Sequence, residues 1–187
     1  MTDYEIFYSK IYNWFNKNTK AYAALKILYK LLIVPFILTY IILLLNIFDE
    51  NNYGFIKINN FLNIIVTHNT ETNLLLAKII LMPATIFIVV SILRMALDAR
   101  RPYEVYDITP LIKKNKKRES MPSRHVLSAA LIAMTTLYVN PILGIILLIF
   151  TVLVAIIRVI AGVHFPKDVI AGIIIGVVCT YIGFWLM

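Results

Sequence analysis

Five apolar runs, roughly Ala24 to Phe48, Leu74 to Leu97, Val126 to Val139, Ile142 to Ala161 and Val169 to Met187, constrain this 187-residue chain more than any other feature. About 20 such residues are needed to cross a hydrocarbon layer about 30 Å thick. Inside that layer a lone segment satisfies its own backbone only as a helix. The third run is short for a crossing unless Ser123 to His125 extend it. With 60% hydrophobic and 15% charged residues and a mean hydropathy of +0.82, the chain carries more apolar surface than one water-soluble core of this length hides. The expected fold is an all-α integral membrane bundle of five transmembrane helices. Residues 53–70, with a short apolar piece from Phe61 to Val66 in an Asn-rich stretch, are a candidate sixth span. One transmembrane domain, 24–187, is expected behind an N-terminal arm, 1–23.

In that arm, Ile6, Phe7, Ile11, Trp14 and Phe15 alternate with Lys10, Lys17 and Lys20, the pattern of an amphipathic helix lying in the membrane interface. The first apolar run ends in "NIFDENN" without a small-residue cleavage site, so it reads as an anchor that stays. Cys179 has no partner in the chain and reads as a small core residue. His68 stands alone and receives no role. The formal net charge of +8 suits anionic headgroups and phosphates. A nucleic-acid binder needs a soluble basic face with interleaved aromatics, which loops between spans do not offer. The expected partners are therefore a lipid phosphate substrate and membrane lipids, with no nucleic acid. Nothing in the sequence specifies an oligomeric state.

Topology then gathers the polar residues. Asn140-Pro141 marks a tight turn between the third and fourth runs. If both runs cross, Ser123 to His125 and His164 to Asp168 share a face, and the end of the second run brings Arg94, Arg100 and Arg101 to the same face. Arg94, Arg101, Ser123, Arg124, His125, Arg158, His164 and Asp168 converge by parity. Several guanidinium forks around one point suit a tetrahedral oxyanion such as phosphate. Helix N-termini opened near Pro122 and Pro166 would add backbone N–H groups. One imidazole can attack phosphorus while a second protonates the departing oxygen, and Asp168, four residues after His164, can orient a ring. No metal or other cofactor is called for. The histidines lack metal-ligand spacing and the arginines repel cations.

Each residue also has a plainer use. Arg94 can pair with Asp98 along a helix, Arg158 can snorkel to the headgroups, Ser123 can cap a helix, and Asp168 can complement a helix dipole. The run "KKNKKRE", Lys113 to Glu119, can be a solvated loop. Jointly, on one face, the plainer uses lose to the phosphate site.

Three ordered motifs, "RMALDARRP", "PSRH" and "IRVIAGVHFPKD", resemble the three-part signature of the type 2 phosphatidic acid phosphatase family from about Leu74 to the C-terminus. The resemblance implies a metal-independent membrane lipid phosphatase acting through a phosphohistidine. Its substrate would be undecaprenyl diphosphate or a glycerolipid phosphate such as phosphatidic acid or phosphatidylglycerophosphate. It further implies His164 as nucleophile, Asp168 as its orienting partner and His125 as general acid. Arg94, Arg101 and Arg158 would hold the phosphate, assisted by Ser123 and the backbone of Arg124.

Three positions depart from the family pattern: Arg94 for Lys, Ile157 for Ser and Arg124 for Gly. A helical backbone at Arg124 tolerates the last swap, whereas a positive φ would not. The second case would favour a non-catalytic lipid-phosphate binding or lipid-moving protein with the same pocket. Vanadate-dependent haloperoxidases share the family's site, but they are soluble. The positive-inside rule places Lys10, Lys17, Lys20, Lys26 and Lys30, and with them the site, in the cytoplasm. The resemblance implies the extracytoplasmic face.

Overall fold

A computed structural model describes residues 1–49 and 70–186. The candidate sixth span around Phe61 to Val66, and His68, lie outside the described residues. Every regular element described is helical: α1 Asp3–Lys17, α2 Thr19–Leu31, α3 Val34–Asp49, α4 Thr70–Leu97, a single turn α5 Pro102–Val105, α6 Arg124–Val139, α7 Pro141–Ile160 and α8 Pro166–Tyr181, which ends in a π-helical turn, Ile182–Leu186. Among the described residues, four stretches are long and apolar enough to cross a membrane: Thr19–Leu45, Leu74–Val105, Pro141–Ile160 and Pro166–Leu186. The shorter α6 has 16 residues, roughly 24 Å of helix at 1.5 Å per residue.

The first apolar run is one span made of two helices. Pro35 has no N–H to give to Leu31, and the chain turns through Leu32 and Ile33 between α2 and α3. At the far end of α6, the Asn140 side chain accepts the Leu143 N–H at 3.1 Å and Pro141 opens α7, so the tight turn comes from a cap followed by a helix-compatible proline.

Helix α6 lies at the centre, packed against α3, α4, α7 and α8. Its exposure is low almost throughout, with Val126, Leu127, Ala129, Ala130 and Ala133 fully buried. Close approach replaces hydrophobic drive between helices in lipid. A Cβ at Gly176 would meet the Ala130 methyl at 2.6 Å, and one at Gly144 would run into the Leu137 backbone at 2.2 Å. Buried Thr135 and Thr151 return their hydroxyls to carbonyls four residues earlier, which keeps polar groups satisfied inside the bundle.

Opposite ends of the bundle are readily told apart. Leu43 near the end of α3, Leu76 and Ile79 near the start of α4, and Phe184 after α8 form one apolar cluster. At the other end, α1 lies across the loops. Tyr8 of α1 accepts the Leu111 N–H at 3.1 Å and donates to the Ile160 carbonyl at 3.3 Å. Gly162, at φ +75°, leaves the room that Tyr8 fills. The N-terminal helix and the loops before α6 and α8 therefore share one face, while Ile6, Phe7 and Trp14 of α1 remain exposed.

Candidate active site

Arg94, in the last turn of α4, is buried and donates Nη1 to the Pro122 carbonyl at 2.9 Å. Seven residues on, Arg101 is 2% exposed. Its Nη1 reaches the Val163 carbonyl at 3.1 Å and its Nε the Arg118 carbonyl at 3.1 Å. These two guanidiniums tie the ends of α4, α6 and α7 together through loop carbonyls. The Arg101 guanidinium pairs with no carboxylate among the described residues, whereas Arg94 Nε forms an ion pair with Glu119 Oε2 at 3.6 Å.

Arg118 and Glu119 both sit at positive φ, 56° and 48°, a left-handed pair without glycine that costs about 1–3 kcal/mol per residue. Hydrogen bonds hold it in place. Arg118 N donates to Glu104 Oε2 at 2.7 Å, and the same oxygen accepts Arg101 N at 2.8 Å. The turn aims the Arg118 carbonyl at Arg101 and Glu119 at Arg94.

Asp168, in the first turn of α8, is 1% exposed. Its Oδ2 accepts Phe165 N at 2.9 Å and the Ser120 hydroxyl at 2.5 Å, and stands 3.7 Å from His164 Nδ1. Ser120 Oγ is itself 3.4 Å from His164 Nδ1. The carboxylate thus complements a helix start and also faces the imidazole; the two uses of Asp168 coexist. Its backbone carbonyl accepts Ser123 N at 3.0 Å, fastening the start of α6 to the start of α8.

Burial pushes the His164 imidazole down to about 4; Asp168 opposes this and Arg101 reinforces it. The ring is neutral at pH 7. With Nδ1 toward Ser120 and Asp168, Nε2 is the nitrogen left for chemistry. His125, in the first turn of α6, is half-buried, with Arg158, Lys114 and Arg124 as its charged neighbours and the His164 ring close by.

Arg158, in the last turn of α7, is buried at 4% exposure. Its guanidinium carbon lies 4.1 Å from the centre of the Tyr29 ring, and its Nη1 has no hydrogen-bond partner among the described residues. Snorkelling is therefore not its use. Asp98 pairs with Arg118 and not with Arg94. Ser123 precedes α6 without a side-chain cap, its buried Oγ unpartnered among the described residues. Arg124 is the first residue of α6, exposed, and outside the left-handed region that occurs elsewhere in the chain. Its Cβ carries no conformational penalty, and its backbone N–H is a free helix N-terminal donor. Arg100 lines a cleft of about 740 Å³ on the α1 side together with Tyr4, Tyr106, Phe165 and Asp168.

Motif order, helical architecture and the placement of the motif residues at one end of the bundle agree with the sequence comparison. Residues 75–187 match the profile of the PAP2 superfamily. The chain belongs to that superfamily. Among solved structures, this PAP2 chain is similar to the crystal structure of Aquifex aeolicus LpxE, with a TM-score of 0.52 and 26% identity over 66% of this chain and 74% of that one. It also aligns with the crystal structure of the first transmembrane PAP2 type phosphatidylglycerolphosphate phosphatase from Bacillus subtilis, with a TM-score of 0.47 and 22% identity over 95% of this chain and 90% of that one. No curated protein matches it. The PAP2 chain is an all-helical membrane protein.

Sequence reasoning passed over three residues at this end. Ser120 lies two positions before the "PSRH" motif and was legible only as a polar residue at a membrane boundary. Tyr29 lies outside the matched region, and Lys114 sat among solvated-looking lysines. Only their tertiary contacts single them out.

Proposed function

We propose that this chain is a membrane lipid phosphatase that cleaves a lipid phosphate or diphosphate through a phosphohistidine on His164. One observation carries the reading: a neutral, buried His164 faces the Asp168 carboxylate within the field of the Arg101 and Arg94 guanidiniums, with Arg158 Nη1 and Ser123 Oγ unpartnered among the described residues. A tetrahedral oxyanion accepts from all of these donors.

In the first step His164 Nε2 forms a bond to phosphorus, the bond from phosphorus to the leaving oxygen breaks, and His125 gives its proton to that oxygen. Asp168 stabilises the positive charge that develops on the His164 ring. In the second step His125 takes a proton from water, the water oxygen bonds to phosphorus, and the P–N bond breaks to release phosphate. Arg94, Arg101 and Arg158, with Ser123 Oγ and the Arg124 N–H, hold the non-bridging oxygens. Fixed guanidiniums supply the charge that a metal ion supplies in other phosphatases.

Candidate substrates are undecaprenyl diphosphate and glycerolipid phosphates such as phosphatidic acid or phosphatidylglycerophosphate. The non-catalytic alternative loses its motive, because Arg124 stands where a side chain is tolerated. Purified protein in detergent, supplied with lipid mono- and diphosphates, is expected to release inorganic phosphate. His164→Ala is expected to release none and to lose the acid-labile radiolabelled protein that wild type forms. Wild type that releases no phosphate from any of these lipids overturns the reading.

A further inference from the structure

Beyond Arg158 the positive charge does not stop. Lys114 Nζ lies 5.9 Å from the centre of the Tyr29 ring that Arg158 also packs against, so one ring carries both a guanidinium and an ammonium. Lys114 is half-buried, and no carboxylate pairs with it among the described residues. Burial, then Arg158, Arg101, Arg94 and Arg124, hold its amine down to about 8. A flexible lysine placed toward four like charges, without a counter-ion of its own, is unfavourable unless something anionic completes the group.

Next to it a cleft of about 660 Å³ opens between α1, α2 and residues 109–113. Tyr29 forms part of its wall, with Lys26, Lys30 and Lys113, and no Asp or Glu lines it. Tyr22 fixes one side by donating to the Leu111 carbonyl at 3.0 Å, and Lys26 lies 4.1 Å over the Tyr22 ring. The phosphate site and this cleft are thus neighbours across Tyr29, with Lys114 at the crossing. Arg94, Arg101, Arg158, Ser123 and the helix N-terminus lie on one side of Tyr29, while Lys114 and the cleft lysines have no carboxylate partner among the described residues.

We propose that Lys114, held over Tyr29 beside Arg158, together with the Lys26, Lys30 and Lys113 cleft, forms a second anion subsite for a phosphoryl group that the substrate carries beyond the one being cleaved. The inference rests on the phosphatase reading for its biological setting but not for its test. The group bound there is part of the substrate itself. Fixed lysines at the second phosphoryl also stabilise the charge that gathers on it as it leaves. Tyr29 is a positioning residue: its ring sets the spacing of the two cations.

The experiment compares farnesyl diphosphate with farnesyl monophosphate, which share a tail and differ by one phosphoryl group, on protein in detergent. Lys114→Ala is expected to raise KM at least tenfold more for the diphosphate than for the monophosphate. Lys114→Arg is expected to restore most of it, and Tyr29→Leu to shift in the same direction. Calorimetric binding of inorganic pyrophosphate and inorganic phosphate forms the second arm. Wild type is expected to prefer pyrophosphate about tenfold, and Lys114→Ala to lose that preference. This arm stands even for a chain that hydrolyses neither lipid, so the two readings fail separately. Equal losses on mono- and diphosphate, or no loss on either, overturn the subsite. So does a Lys114 effect seen only in vesicles containing phosphatidylglycerol, which would assign the lysines to the bilayer.

Discussion

The two ends of this helix bundle are built from the same helices and solve opposite problems. At one end, α4 carries Arg94 and α7 carries Arg158 in their last turns, while α6 starts at Arg124 just after Ser123 and α8 starts at Pro166; the loops between them fold inward and bury charge. At the other, α6 and α7 turn tightly at Asn140, and α8 ends among Tyr138, Phe184 and Trp185, with ring centres 4.9 Å and 5.1 Å from Tyr138. One end keeps the guanidiniums of Arg94, Arg101 and Arg158 buried, an arrangement that favours an anion. The other end is sealed, among the described residues, by aromatic and aliphatic packing.

The comparison breaks first, and all or none, on topology. In a Cys179→Ser background, cysteines replacing Lys10 and Lys116 are expected to label from the same side of the membrane with an impermeant reagent, and a cysteine replacing Asn140 from the other. Labelling of Lys10→Cys and Lys116→Cys from opposite sides would separate α1 from the site face. The next largest effect is chemical: Asp168→Ala should lower kcat by about 10³-fold or more, because the imidazole loses the group that orients and stabilises it. A loss under tenfold would remove Asp168 from the mechanism.

Ser120→Ala sharpens the same end, since its hydroxyl holds Asp168 Oδ2 and approaches His164. We expect about a tenfold fall in kcat with KM little changed, a shifted pH profile, and recovery with Ser120→Thr. An equal fall in stability and kcat without a pH shift would make it structural only. A smaller effect follows from Lys114. Burial and the guanidiniums hold its amine down to about 8, so it is charged below that pH and loses its proton as pH rises through it. KM for a diphosphate substrate should climb a few-fold between pH 7 and 9 and stay flatter in Lys114→Arg. Smallest for catalysis is Phe184→Ala at the sealed end. It should cost roughly 3 kcal/mol of stability and change kcat less than twofold in protein that remains folded.

His164 adds a stability signature to the site end. Its folded imidazole is pushed down to about 4, below the ordinary 6.5 or so of an unfolded chain. Below the latter the unfolded state takes up a proton that the folded state refuses. This contribution to stability is complete above about pH 6.5 and is lost as pH falls toward 4.

Much of this was legible in the chain, for identifiable reasons. Apolar runs specify helices because the bilayer leaves the backbone no other partner, and the Asn140-Pro141 turn fixes which ends meet. That parity alone brought Arg94, Arg101, Ser123, His125, Arg158, His164 and Asp168 to one face, where the structure places them. The break at Leu32 and Ile33 was written in Pro35 and read as continuous apolar sequence. Arg100 was gathered by the same parity, and it lines a cleft on that face together with Asp168.

By itself, then, the sequence determined the helices, their order along the chain and the three motifs that carry the superfamily, since hydrophobic length and residue spacing are local properties. Tertiary structure decided who completes the site. Ser120 reaches Asp168 across 48 positions, and Tyr29 comes under Arg158 from a helix outside the matched region. Neither contact has a period or spacing to betray it, because such contacts are set by how closely helices approach. Arg124 was settled in the same way: the helical backbone at the start of α6, a product of the packed α6 and α8 termini, makes a bulky cation acceptable there.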